Sequence, residues 1–254
     1  MRQYPFRIAV LTLIASTLFS AGTPAHAQSV KIAVAANLKT VIKQLEKDFK
    51  KRTGITVEDA AGPSGGLAAQ INNGAPFDLF LSADMDQPEK LYRAGHTLEK
   101  PEIYAYGKLV ICSNQNIGFE NWERLLLSVR VKKISIANPA IAPYGKAAIE
   151  ALEHKGIYGD VKNKIVQGES IAQVNTYITT GNVDLGFTTQ SLVRDPQNRT
   201  QLYWSEIDQK LYEPIKQGAV ILKRGATNEQ AKQFYKYLFT APAKQILKEY
   251  GYGV

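Results

Sequence analysis

Residues 30–49, VKIAVAANLKTVIKQLEKDF, decide the fold class of this chain. The run from Val30 to Ala35 is apolar and rich in β-branched residues, which predicts a short buried strand. Apolar residues then recur at helical spacing and predict an amphipathic helix: Leu38, Val41, Ile42, Leu45 and Phe49. Asn37 stands where a side-chain oxygen could cap this helix, and Gly54 stands where the helix should end.

The same order of strand and helix repeats along the chain. Further strands are predicted at residues 56–58, 77–81, 133–137 and 183–188, and helices at 67–71, 144–154 and 171–178. Residues 228–250 have a helical pattern with a break near Pro242. This alternation predicts an α/β fold built on mostly parallel sheets flanked by helices. Such sheets bind ligands at the carboxyl ends of their strands, where helices begin.

The first 27 residues have the pattern of a cleavable export peptide. Arg2 and Arg7 give a basic start, Ile8 to Phe19 is almost wholly apolar, and Ala25-His26-Ala27 is a small-x-small cleavage site. A membrane anchor is the alternative, but this apolar run is short for a bilayer core of about 30 Å. We therefore predict cleavage after Ala27 and a periplasmic mature protein that begins at Gln28.

Charge and cysteine content limit the classes of function. Without Arg2 and Arg7, the mature chain has 29 basic and 23 acidic residues, a net charge of +6. The basic residues are dispersed and are not interleaved with aromatic residues, so nucleic-acid binding is disfavoured. Cys112 is the only cysteine, which excludes an intrachain disulfide and any cysteine-rich metal site, and its apolar neighbours predict a buried, inert thiol. No cofactor is expected.

Two loops share a design suited to anion binding. Residues 34–38 and 60–67 each follow a strand, contain small polar residues and lead into a predicted helix. The start of a helix carries unpaired amide hydrogens and about half a positive charge. The side chains of Asn37 and Ser64 could add hydrogen bonds, while Ala36, Gly65 and Gly66 allow the backbone to approach a ligand closely. Neutral donors suit a fully ionised anion that brings no proton of its own.

Four segments together resemble the periplasmic molybdate-binding proteins of ABC transporters. They are Val34–Leu38, Gly62–Gly66, Gly74–Asp84 and Ala137–Lys146, and the resemblance extends over the whole mature chain. It implies a periplasmic binding protein fold whose two lobes close on a tetrahedral dianion in the cleft between them. With crossing strands near residues 106–113 and 214–223, we place the lobe limits at 28–108, 109–218 and 219–254, the last segment returning to the first lobe.

The resemblance also carries binding positions over to this chain. It implies that the oxyanion contacts Asn37 and Ala36 in the first loop, Ser64 in the second, and Tyr144 and Ile171 in the other lobe. Thr189 stands where many members have a tyrosine whose hydroxyl binds the ligand. Tyr144 could supply the phenolic donor instead, so Thr189 and Gly65 are additional candidates.

Three hypotheses for the function remain open, and the resemblance favours the first. The first is capture of molybdate, and of tungstate, for an ABC permease by a monomeric protein without catalytic activity. The second keeps the fold but changes the ligand to sulfate or phosphate. The third is a secreted hydrolase, which is disfavoured because the sequence around Ser64 lacks the Gly-x-Ser-x-Gly nucleophile motif.

Overall fold

The computed structural model of the protein describes residues 29–254. The predicted export peptide and its cleavage after Ala27 lie outside the described residues. Within 29–254, every helix is too short or too polar to cross a membrane.

The strands of residues 29–254 form two five-stranded sheets. The first sheet contains β1 (Val30–Ala35), β2 (Val57–Gly62), β3 (Leu79–Leu81), β4 (Glu102–Gly107) and β10 (Ile215–Ile221). The second sheet contains β5 (Leu109–Ser113), β6 (Ile134–Ala137), β7 (Ile165–Gly168), β8 (Leu185–Thr189) and β9 (Tyr203–Glu206). Each sheet, with the helices that cover it, is one lobe of the protein.

Helices alternate with the strands in both lobes. The first lobe has α1 (Val41–Thr53), α2 (Ser64–Asn72), α3 (Asp86–Arg93), α9 (Glu229–Leu238) and α10 (Ala241–Glu249). The second lobe has α4 (Trp122–Leu127), α5 (Pro143–His154), α6 (Tyr158–Val161), α7 (Ile171–Thr179) and α8 (Gln190–Val193). The predicted break near Pro242 is confirmed, because α10 starts anew with this proline in its first turn.

The two sheets have equivalent topologies. Their strand orders are β2-β1-β3-β10-β4 and β7-β6-β8-β5-β9. In each sheet only the fourth strand of the order, β10 or β5, runs against the other four. The predicted two-lobed α/β fold with mostly parallel sheets is therefore confirmed. The reversed strand in each case is the one that the chain enters on crossing from the other lobe.

The chain changes lobe at two places. Lys108 alone separates β4 of the first sheet from β5 of the second. The return lies between the end of β9 at Glu206 and the start of β10, whose ladder with β4 begins at the pair Ile215 and Gly107. Position 218, which the sequence suggests as the end of the second lobe, is inside β10. The start of that strand at Ile215 therefore marks the return more closely.

The start of the first helix differs from the prediction. Residues Ala36–Leu38 form a short 3-10 helix, and α1 begins only at Val41. The Asn37 side chain caps neither helix, because it is hydrogen-bonded to distant parts of the first lobe. The predicted end is confirmed: Gly54 has a left-handed φ of 76° and its amide donates to the Lys50 carbonyl.

Each sheet has its own hydrophobic core. In the first lobe, α1 and α9 meet where Phe49 packs edge-on against Phe234, with ring centroids 5.1 Å apart. In the second lobe, Trp122 packs edge-on against Phe187 at 5.8 Å. Cys112 lies in this second core, and burial raises the pKa of its thiol to about 12. The predicted burial of the thiol is confirmed, and its raised pKa disfavours the reactive thiolate.

Candidate functional site

A small cavity lies between the lobes at the carboxyl ends of the central strands. The cavity is surrounded by the ends of β1 and β2, by Ala83 beyond the end of β3, and by the starts of α5 and α7. The residues lining it are Ala35, Ala36, Asn37, Pro63, Ser64, Ala83, Ala142, Pro143, Tyr144 and Ile171. None of these carries a charge. The structure thus brings together five predicted positions: Asn37, Ser64, Tyr144, Ile171 and Ala36.

Four helix starts converge on this cavity. The 3-10 helix begins at Ala36 and α2 at Ser64 in the first lobe, whereas α5 begins at Pro143 and α7 at Ile171 in the second. The first amides of a helix have no partner within it, and the helix dipole adds partial positive charge at the same end. The convergence of helix starts from both lobes makes the cavity electropositive without any charged side chain.

Ser64 is the clearest side-chain donor in the cavity. Its side chain is buried, and its Oγ accepts a hydrogen bond of 3.0 Å from the Ala83 amide. Because a hydroxyl has a single hydrogen, and this contact uses only the oxygen, the hydrogen stays available to a ligand. The Ala83 amide also holds the hydroxyl oxygen in place.

Asn37 contributes differently from the prediction. Its side-chain nitrogen donates to Gln217 Oε1 at 2.8 Å and to the Tyr252 hydroxyl at 3.0 Å. Both amide hydrogens are therefore used within the protein, and Oδ1 has no hydrogen-bond partner among residues 29–254. The backbone amide, in the first turn of the 3-10 helix, is the donor that Asn37 can offer to a ligand.

Tyr144 lies at the back of the cavity, next to the point where the chain crosses between lobes. A side chain at Gly107 would overlap the Tyr144 hydroxyl, so glycine is needed there. Burial raises the pKa of Tyr144 well above its ordinary value, and the nearby Tyr252 raises it further. The phenol consequently remains neutral and able to donate a hydrogen bond.

Ile171 and Ala36 have apolar side chains and can serve a polar ligand only through their backbone. Ser170 caps α7, where its Oγ accepts from the Gln173 amide at 3.3 Å. This leaves the amide of Ile171, the first residue of the helix, without an intrahelical partner. The residue type at 171 therefore gives no indication of its position at the cavity.

Comparison with known proteins agrees with this architecture. The family model described as bacterial extracellular solute-binding protein matches residues 30–253. The chain belongs to this family. It is 41% identical to the molybdate-binding protein ModA of Azotobacter vinelandii over 91% of this chain and 92% of that protein. It is 37% identical to ModA of Rhodobacter capsulatus over 99% of each chain.

A solved structure supports the same assignment. The periplasmic molybdate-binding protein of Azotobacter vinelandii superimposes with a TM-score of 0.84 and 35% identity, over 89% of this chain and 99% of that one. These relatives are named as ligand-binding proteins rather than as enzymes.

The two additional candidates have other partners. The Thr189 Oγ1 caps α8 by accepting from the Leu192 amide at 3.2 Å, and it lies 2.8 Å from Ser191 Oγ. Thr189 is not among the residues that line the cavity. The amide of Gly65, the other additional candidate, donates to the Ile141 carbonyl of the second lobe at 3.0 Å. A Cβ at position 65 would lie 3.2 Å from Ile141 Cα, a tight contact that glycine avoids.

Sequence reasoning missed the polar residues behind the first loop. Gln217, Ser191 and Tyr252 are all buried, and each is hydrogen-bonded to Asn37. In the strand at residues 215–221, Gln217 alternates in phase with the buried Ile215 and Ala219 rather than with the exposed Lys216, and this was a usable signal. Tyr252 gave no such signal, because its hydroxyl reaches Asn37 across 215 positions of sequence.

A larger groove between the lobes is less suited to an anion. It has a volume of about 470 Å³ and shares Ala83, Ala142 and Pro143 with the small cavity. Its charged lining residues are mostly acidic: Asp84, Asp86, Glu89, Glu150 and Glu213, against Lys90, Lys146 and Lys216. The excess of carboxylates would repel an oxyanion, so the smaller, uncharged cavity is the better candidate.

Proposed function

We propose that this solute-binding protein captures molybdate, and also tungstate, in the periplasm and delivers it to the permease of an ABC importer. The relatives that match nearly the whole chain are named as molybdate-binding proteins, which supports the ligand class. The protein acts as a monomer, and no covalent step is part of its function.

The observation that carries this proposal is the uncharged cavity at which helices from both lobes begin. A fully ionised tetrahedral oxyanion accepts hydrogen bonds on all its oxygens and donates none, so it is matched by donors alone. Hydrogen bonds to an ionised acceptor are stronger than neutral ones, and a few well-placed amides and hydroxyls suffice. Helix starts supply such donors together with partial positive charge.

The proposed contacts follow from the geometry of the cavity. Ser64 donates through its hydroxyl, and the backbone amides at Ala36, Asn37, Tyr144 and Ile171 donate from the first turns of their helices. The Tyr144 hydroxyl remains neutral and donates a further hydrogen bond to the oxyanion from the back of the cavity. Because donors come from both lobes, a bound oxyanion joins them and favours the closed arrangement.

The same cavity disfavours phosphate. Near neutral pH phosphate retains a proton, which needs a buried acceptor such as a carboxylate. None of the described residues that line the cavity is an aspartate or a glutamate. Sulfate brings no proton and differs from molybdate mainly in size, so we propose that the dimensions of the closed cavity select the larger anion.

Isothermal titration calorimetry on residues 28–254 tests this proposal. Molybdate, tungstate, sulfate and phosphate would be titrated separately, at equal ionic strength. We expect tight one-to-one binding of molybdate and tungstate and no measurable heat from the other two. Binding of sulfate or phosphate alone would leave the fold assignment unchanged but contradict the proposed ligand. Absence of binding for all four would refute an oxyanion site in this cavity.

A further inference from the structure

Gln217 is a buried polar residue that connects the two anion loops of the first lobe. It lies on β10 and has no solvent exposure. Its Oε1 accepts the hydrogen bond of 2.8 Å from the Asn37 side chain, and its Nε2 lies 3.4 Å from the Ala83 carbonyl. One side-chain amide thus faces the loop after β1 and the segment after β3.

The connection continues to the second anion loop. The Ala83 residue whose carbonyl faces Gln217 also donates its amide to Ser64 Oγ at 3.0 Å. A chain of contacts therefore runs from Asn37 through Gln217 and Ala83 to Ser64. It joins the starts of the 3-10 helix and of α2, which supply the donors of the first lobe.

The backbone around Gln217 is shaped to hold this position. The pairing of β10 with β4 shifts register between Gln217 and Gly218, which marks a β-bulge. Beyond it, β10 is tied to β3 by reciprocal hydrogen bonds between Gly218 and Ser82, at 2.8 and 3.1 Å. A Cβ at Gly218 would come within 2.8 Å of the Asp84 carbonyl oxygen, so only glycine allows this close approach. Bulges commonly redirect a side chain beside a functional site.

We propose that Gln217 is a positioning residue that fixes the separation of the Asn37 and Ser64 loops and thereby sets the affinity and the size selectivity for the oxyanion. The inference rests on the proposed function and deepens it. A primary amide suits this role because it accepts from one loop and donates to the other, which no aliphatic or singly polar side chain of similar length can do.

These contacts lie within a single lobe, so they can form before the lobes close on a ligand. Asn37, Ser64, Ala83 and Gln217 all belong to the first lobe, so the hydrogen bonds that join them lie within one lobe. Half of the donors are thus preorganised before the lobes meet around a ligand. Preorganisation of this kind raises affinity without adding a contact to the ligand.

The substitution Gln217→Met tests the proposal, because methionine keeps the length of the side chain and removes both hydrogen-bonding atoms. Gln190→Met is the matched control: Gln190 is also buried, bonds to Glu206 and touches Gly251 across the lobe boundary, but does not contact Asn37. Both variants and the unmodified protein would be titrated with molybdate and with sulfate, and their ligand-free melting temperatures measured.

We expect Gln217→Met to raise the molybdate Kd about tenfold or more and to lower the ratio of molybdate to sulfate affinity. Gln190→Met should change the melting temperature with little change in that ratio. An unchanged Kd and ratio in Gln217→Met, or equal losses in both variants, would overturn the positioning role. Failure of the unmodified protein to bind molybdate would instead refute the proposed function.

A second measurement applies if Gln217→Met does not fold. In the unmodified, ligand-free protein, the side-chain amide hydrogens of Asn37 should exchange slowly with solvent, as observed by NMR spectroscopy. Slow exchange would support a contact that exists before ligand binding. Exchange as fast as that of exposed asparagines would contradict it.

Discussion

At the scale of single residues, the candidate site separates side-chain donors from backbone donors. Ser64 keeps a hydroxyl hydrogen free, since its oxygen already accepts from Ala83. Asn37 uses its side chain to hold its own loop in place and retains only its backbone amide for a ligand. Substitutions at these two positions should therefore have different consequences, although both residues line the same cavity.

The substitution Ser64→Ala should weaken molybdate binding about 10- to 100-fold, because a hydrogen bond to a charged partner contributes about 1.5–3 kcal/mol. Calorimetry on the purified variant measures this directly. Ser135→Ala is the control, since Ser135 is equally buried but lies within β6 and does not line the cavity. Equal binding by Ser64→Ala and the unmodified protein would remove Ser64 from the site.

Titration at single residues also predicts how the protein responds to pH. Burial raises the pKa of Tyr144 well above its ordinary value and that of Tyr252 to about 12. Both phenols are thus neutral in the folded protein at pH values where they would ionise in the unfolded chain. Their contribution to stability is complete below about pH 10, the pKa of an unfolded tyrosine, and is lost as the pH rises above it.

We therefore expect the molybdate Kd to stay constant from about pH 6.5 to about pH 9, a range in which an ordinary histidine or α-amino group would titrate. The free energy of unfolding, measured with urea, should fall above about pH 10. A Kd that changes several-fold between about pH 6.5 and pH 9 would indicate a titrating group at the ligand, contrary to the uncharged cavity.

At the scale of secondary-structure elements, the site depends on where helices begin. The α5 helix starts at Pro143, whose missing amide hydrogen costs nothing in a first turn. Gly145 follows because a Cβ there would overlap the Ala137 carbonyl oxygen at the end of β6. The α7 helix starts at Ile171 and is capped by Ser170. These local features keep the amides of the second lobe directed at the cavity.

Removing the cap of α7 tests this dependence. Ser170→Ala should lower the free energy of unfolding by about 1 kcal/mol, the usual contribution of an N-cap, and should also weaken molybdate binding through fraying of the Ile171 amide. Asn228→Ala removes the cap of α9, whose first residues do not line the cavity. It should reduce stability while preserving the Kd. If both variants bind molybdate as the unmodified protein does, the start of α7 is not a ligand-binding element.

At the scale of the whole molecule, the two lobes make direct contacts around the cavity. Ser191 of the second lobe donates to the Asn37 carbonyl at 3.0 Å, and the Gly65 amide of the first lobe donates to Ile141. Tyr252 donates to the same Asn37 carbonyl and lies 3.4 Å from Ser191 Oγ. Lobe contact and ligand binding therefore share the first anion loop, and each should stabilise the other.

The substitution Ser191→Ala should accelerate molybdate release about two- to tenfold, because it removes one hydrogen bond that joins the lobes. Stopped-flow measurement of the dissociation rate, with excess tungstate as competitor, gives this value. Ser205→Ala, on β9 and away from Asn37, is the control and should leave the rate unchanged. Unaltered release from Ser191→Ala would show that this contact does not hold the lobes closed around the ligand.

The sequence by itself determined the features that arise from neighbouring residues. The apolar periodicities predict most of the strands and helices, but not the strands at 165–168 and 203–206. Gly54 and Pro242 mark two helix boundaries, and small residues mark the loops at which helices begin. These are local properties, since a strand, a turn or a cap depends on residues only a few positions apart. The positions around the cavity followed from the resemblance, and the structure places five of them together.

Only the tertiary structure determined which hydrogen-bond partner each buried polar group has. Asn37 has the position of a helix cap in the sequence. In the structure its side chain donates instead to Gln217, 180 positions away, and to Tyr252, 215 positions away. Gly65 is a candidate ligand contact in the sequence, but its amide donates to the carbonyl of Ile141 in the second lobe. The physical reason is that a buried polar group bonds to whichever partner the packed lobes bring nearest, and sequence distance has no bearing on that choice.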